Sequence, residues 1–129
     1  QRQMCIRDRF SGLGSAHPVK DNREFEIVSI FGAFYGHIYA LIDEASHWAE
    51  TNGLEAKCVR VLAARMMRSV ATNVIENNDH RPRENLKDLL TPGGITETGL
   101  EILDASGALQ KWQEALDNSL QQSRQINSI

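Results

Sequence analysis

The residues best placed to do chemistry are Thr91, Pro92, Gly93, Gly94, Ile95 and Thr96, where a proline and paired glycines lead into a helical pattern. Glycines let a backbone approach a ligand with no side chain in the way. The helix that follows presents unpaired N–H groups and the positive end of its dipole. The chemistry on offer is therefore the holding of an anion such as a carboxylate. Thr96, in the first turn, adds a hydroxyl able to donate or relay a proton. The plainer reading makes Thr91 an N-cap and Pro92 the first helical residue. On geometry alone that plainer reading is the simpler one.

Other constellations offer less. Gly12-Leu13-Gly14 lacks the third glycine of a dinucleotide loop, because His17 stands there and Pro18 follows. Such a loop needs a strand before it and a helix after it, so the chain is expected to carry no cofactor site of its own. His17, His37, His47 and His80 form no zinc pattern with one another or with a carboxylate. His37 reads as a satisfied core residue, and His47 and His80 as surface. Ser11, Ser15 and Ser29 have no nucleophile-elbow context. Asp43 and Glu44 are helix neighbours that point in different directions. No metal site is expected.

Composition narrows the classes further. Hydrophobic residues make up 41% and charged residues 24%, with a net charge of -3. That balance lacks the clustered basic face of a nucleic-acid binder, and Arg60, Arg65 and Arg68 read as a solvated helix flank. The longest apolar run, Ile27 to Ile42, is interrupted by Ser29, Gly32, Gly36 and His37, and reads as too short and too broken to span a bilayer. No signal peptide is visible. Cys5 and Cys58 suggest neither a disulfide nor a zinc framework, which points to a reducing, cytoplasmic setting.

The elements that must position these residues are helices. Residues 1–9 have no periodicity, cap or turn logic and read as foreign leader sequence. Residues 10–20 read as the end of a preceding domain, with a short extended segment near Ser15 to Val19, and residues 21–129 as one helical domain. Asp21 with Glu24 makes a helix start, and that helix is expected to run to about Thr51, stopped by Gly53. A second is expected from Leu54 to Asn77, a short one from Glu84 to Leu90, a fourth from Ile95 to Ala105, and a last from Ala108 onward. The fold class is an all-α bundle of about five helices.

The first helix is apolar almost all round, and such a helix must be surrounded. In so small a domain a second copy completes the burial, so an intertwined homodimer is expected, with Ile30, Gly32, Phe34, Gly36, Ile38 and Leu41 at the interface. Gly32 and Gly36, one turn apart, allow another backbone to approach closely. A tight crossing within the chain is the alternative use of that pair.

The segment His80 to Gly94, reading His-Arg-Pro-Arg-Glu-Asn-Leu-Lys-Asp-Leu-Leu-Thr-Pro-Gly-Gly, resembles a stretch of the pyrroline-5-carboxylate reductases, His-Pro-x-x-Leu-Lys-Asp-x-Val-Thr-Ser-Pro-Gly-Gly-Thr-Thr. Gly99-Leu100-x-x-Leu103 and Gly107-Ala108 resemble that family's next helix and turn, and Phe10 to Gly14 the end of its cofactor domain. The resemblance implies the C-terminal dimerisation and substrate domain of an NAD(P)H-dependent imine reductase of the proline-biosynthesis type. It implies NADPH or NADH bound by a Rossmann domain outside this chain, and a small imine substrate at a homodimer interface. It further implies that Thr91, Pro92, Gly93, Gly94 and Ile95 hold the substrate carboxylate and that Thr96 donates the proton.

The chain departs from this pattern in one place above all. The family's Ser-Gly-Ser-Gly-Pro-Ala-Tyr aligns with Phe31 to His37, where only Gly32 is kept and the small residues become Phe31, Ala33, Phe34 and Tyr35. The first threonine after the glycines becomes Ile95. Bulk at a pocket changes specificity. A non-catalytic helical dimerisation module therefore stays open, as does the helical domain of another dehydrogenase family.

Overall fold

The computed structural model of the chain describes residues 18–127. These form α1 (Asn22–Thr51), α2 (Ala56–Glu76), a 3-10 helix (Pro82–Leu86), α3 (Ile95–Ala105) and α4 (Ala108–Asn127). No strand occurs among the described residues, and the architecture is the expected all-α one. The leader at 1–9, residues 10–17 and all but the last part of the Ser15–Val19 segment lie outside the described residues.

Local chemistry sets the helix ends. Asp21, in extended conformation, accepts the Glu24 N–H at 2.8 Å. The Glu24 carboxylate reaches back to the Lys20 N–H, one residue further out than in the usual capping box. At the other end Gly53 takes φ 96, its N–H donating to Glu50 O at 3.0 Å and that of Leu54 to Ala49 O at 3.1 Å. That pair of bonds is the Schellman closure, and it needs a residue free to be left-handed. In α2, Glu55 caps through its side chain, accepting from the Lys57 and Cys58 amides at 3.1 and 3.2 Å.

The helix expected at Glu84 to Leu90 is instead a 3-10 helix, Pro82–Leu86, followed by a turn. Its bonds run i to i+3, with Glu84 N–H to Arg81 O at 2.8 Å and Lys87 N–H to Glu84 O at 3.2 Å. Pro82 at the first position fixes φ and starts the segment early. Arg83 pairs with Asp104 and ties this segment to α3.

Packing is open. α1 lies against α2 and α4, and α3 against α4. Phe34 meets Trp112, while Glu26 meets Arg124 at 3.1 Å, so α1 and α4 run antiparallel. Among the described residues only Ala49, Val59 and Ser46 are buried, all where α1 packs on α2. Phe31, Tyr35, Tyr39 and Trp48 on α1 are each more than 60% exposed.

One expectation is corrected by the length of α1. It runs unbroken for 30 residues with a stretch of mean hydropathy 1.5, long and apolar enough by those measures to cross a membrane. Ser29, Gly32, Gly36 and His37 all keep helical backbone, and the two serines of the helix that bond back to it do so without ending it. Ser29 donates to Phe25 O and Ser46 to Ile42 O, both at 2.7 Å.

Candidate functional site

The Thr91–Gly94 turn is closed by the Gly94 N–H donating to Thr91 O at 2.7 Å. Pro92 occupies the second turn position and Gly93, at φ 71, the third, the arrangement of a type II turn. A Cβ on Gly94 would stand 2.7 Å from Thr91 O, so glycine is required there by close approach and at Gly93 by conformation. The N-cap of α3 is Gly94, with Ile95 as the first helical residue. Thr91 and Pro92 therefore do not cap and start the helix. The left-handed Gly93 separates them from it.

Both glycine amides are committed within the chain. Gly94 bonds to Thr91, and the Gly93 N–H donates to Glu97 Oε2 at 2.6 Å. Glu97 stands at the third position of α3 as Glu24 does in α1, and both carboxylates cap the amide just outside the helix. Sequence reasoning missed Glu97, although a glutamate three residues after the cap position is a visible signal. The amides of Ile95, Thr96 and Glu97 have no acceptor within the helix, by the geometry of any helix start. Thr91, Pro92, Gly93 and Thr96 are exposed, Gly94 is half-buried, and Ile95 is 94% exposed. Beside the turn, a cleft between the 3-10 segment and α3 gathers Arg81, Arg83, Lys87, Glu97, Glu101 and Asp104.

The second group of candidate residues lies on α1. Ile30, Phe34 and Ile38 are half-buried, while Gly32, Gly36 and Leu41 are exposed. Phe34 packs edge-on against Trp112 of its own chain at 5.9 Å, a contact made within the monomer. A Cβ at Gly32 or Gly36 would meet nothing within 4 Å, so that side of α1 is open. Phe31, Tyr35 and Tyr39, at i, i+4 and i+8, form an outward aromatic stripe. The expected interface set omitted them, though their spacing marked them. The Tyr35 and Tyr39 rings meet at 5.3 Å with hydroxyls 3.4 Å apart. The hydrogen bond from this pairing, with the charge interaction between the two, pushes the Tyr35 hydroxyl above its ordinary value.

His37 corrects an expectation. It is half-buried, but its Nδ1 is sealed from solvent without a hydrogen-bond partner among the described residues, so within them it is not a satisfied core histidine. His47 and His80 are exposed, and His80 lies 3.7 Å from Glu84. Among the described residues no group of three or more His, Cys, Asp or Glu could hold a metal ion.

An all-helical domain whose longest helix carries an outward aromatic stripe belongs to the class of dimerisation domains when its sequence also matches one. Residues 25–126 match the family described as pyrroline-5-carboxylate reductase dimerisation, and the chain belongs to that family. It is 25% identical over 116 residues to pyrroline-5-carboxylate reductase 1 of Bacillus subtilis, covering 89% of this chain and 38% of that protein. It is 26% identical over 118 residues to the pyrroline-5-carboxylate reductase of Methanosarcina acetivorans, covering 91% and 43%. The chain thus spans about two fifths of the length of these relatives. Its fold is that of a pyrroline-5-carboxylate reductase structure from Coxiella burnetii, with TM-score 0.86, 16% identity and coverage of 96% and 46%. A Plasmodium falciparum pyrroline carboxylate reductase structure with NADP bound gives TM-score 0.82, 20% identity and coverage of 94% and 48%.

Proposed function

We propose that this chain is the dimerisation and substrate-binding part of a cytoplasmic NAD(P)H-dependent imine reductase of the proline-biosynthesis type. Two copies pair through α1, and the cofactor belongs to a dinucleotide-binding domain outside this chain. The observation that carries the reading is the exposed stripe Phe31, Tyr35 and Tyr39, beside open Gly32 and Gly36, in a chain of a dimerisation family. Burying one large apolar side chain contributes about 1.5–3 kcal/mol, so such a stripe favours a partner over water.

In this reading the chain positions and the cofactor reduces. Once bound, a reduced nicotinamide would supply the hydride that the imine carbon takes up. The imine nitrogen takes a proton, for which the exposed Thr96 hydroxyl is the donor, resupplied from solvent. The first-turn amides of α3 face the substrate carboxylate, and Glu97 must release the Gly93 N–H for that amide to join them. The substrate is a small imine bearing a carboxylate.

Phe31, Phe34 and Tyr35, standing where the family has smaller residues, favour a second reading in which the chain pairs without catalysing. Sedimentation of the chain together with NADPH oxidation by the gene extended upstream separates the cases. A dimer with turnover of pyrroline-5-carboxylate supports the reductase, and a dimer without turnover of any cyclic imine supports the module. A monomer at micromolar concentration overturns both.

A further inference from the structure

Where α1 meets α4, the His37 ring lies edge-on to both Phe34 and Trp112, with ring centroids 6.5 and 6.0 Å away. Phe34 and Trp112 are themselves in contact, so the three rings form one cluster. The Nδ1 of His37 is buried inside it with no partner among the described residues. An unpaired buried nitrogen is unfavourable, and an unpaired buried charge far more so. The packed arrangement therefore selects the neutral imidazole. Protonation would put an N–H on both ring nitrogens, and the one at Nδ1 would find no acceptor.

An exit stands beside the cluster. A groove between the two helices is lined by His37, Ala40, Leu41, Glu44, Lys111 and Trp112. The charged groups facing it are Glu44 from α1 and Lys111 from α4, the latter paired with Glu114 at 2.7 Å. Lys111 repels an imidazolium held against α4, while Glu44 attracts one that has moved into the groove.

We infer that His37 is a proton-sensitive joint between α1 and α4. Neutral, its ring stays packed with Phe34 and Trp112. On taking a proton from solvent, it turns into the groove toward Glu44 and loosens Trp112. The joint is therefore firm while the ring is neutral and weak once it is protonated. The inference needs neither cofactor nor a second copy, and stands apart from the proposed function.

The test reads Trp112 directly. Trp48 is the other tryptophan and is exposed, so W48F leaves Trp112 as the sole indole emitter. Emission of the W48F chain is expected to move reversibly to longer wavelength as pH is lowered from neutral into mild acid. Adding H37F, which keeps a ring but cannot titrate, should abolish the shift, and adding E44Q should move its midpoint to lower pH. Unchanged W48F emission across that range overturns the joint, as does a shift that persists with H37F. Should the H37F chain fail to fold, NMR titration of the unaltered chain decides. His37 and the Trp112 indole moving together supports the joint, and His37 titrating with the indole unmoved overturns it.

Discussion

The backbone N–H of Gly93 donates to the carboxylate of Glu97 at 2.6 Å, so the turn proposed to receive an anion already holds one from its own chain. Glu97 thus has two effects of opposite sign. It stabilises the start of α3, and it competes with any carboxylate arriving from outside.

Glu97→Ala is expected to destabilise the fold by about 0.3–1.5 kcal/mol, the usual worth of a helix-start interaction. In the enzyme extended upstream, the same change should lower KM for a carboxylate-bearing imine more than for the same ring without the carboxylate. Denaturant midpoints check the first outcome and paired steady-state assays the second. An equal response of both substrates would show that Glu97 does not compete.

The two glycines should respond differently to alanine. Gly93→Ala places a side chain at φ 71 with open space around it, and a left-handed L-residue costs about 1–2 kcal/mol. Gly94→Ala drives a Cβ to 2.7 Å from a backbone carbonyl oxygen, so the turn itself must shift. Thermal unfolding should rank Gly94→Ala as the more harmful, with an altered Gly93 amide resonance that Gly93→Ala cannot report.

Asp21, Glu24 and Gly53 were legible in the sequence because caps and stops act within a few residues. The Thr91–Gly94 stretch was legible as punctuation but not as geometry. Proline before paired glycines suits a helix start or a type II turn, and the Gly94–Thr91 hydrogen bond decides between them. The Phe34–Trp112 contact was not legible at all, because its partners lie in the first and last helices and meet only through tertiary packing. The apolar-all-round reading of α1 was sound, yet it did not say which face its own chain would cover. Phe34 turned inward to Trp112, and the stripe through Tyr35 was left outside.

Tyr35→Asp puts a charge on that stripe at a position 65% exposed within one chain. Self-association should weaken at least tenfold while the helical circular dichroism of the concentrated protein is kept. Sedimentation at several concentrations reads this directly, and an unchanged dissociation constant would remove the stripe from the interface.

The Tyr35 hydroxyl titrates above its ordinary value because it shares a hydrogen bond with Tyr39. Tyr39→Phe should return it toward that value, as read by ultraviolet difference absorption against pH. For an acid whose neutral form is favoured in the fold, the stabilising contact is present below the ordinary tyrosine range. It is lost as pH rises through the raised value. The variant should therefore lose this contribution at neutral pH and, with it, the alkaline transition.

A double-mutant cycle on Phe34 and Trp112, each to Ala, should return a coupling of about 0.5–1.5 kcal/mol, the worth of an edge-to-face aromatic pair. Additive losses would mean that the two rings contribute only through area.

The shallow burial of the single chain, confined to Ala49, Val59 and Ser46 among the described residues, changes what stability means for this protein. A domain with a private core keeps its melting temperature on dilution. In the proposed pairing, where a second copy shields the aromatic stripe, there is no such fixed point, and the melting temperature climbs with the logarithm of the chain's own concentration. Dilution then acts as a denaturant, and the abundance of the chain in its compartment becomes a determinant of whether it is folded.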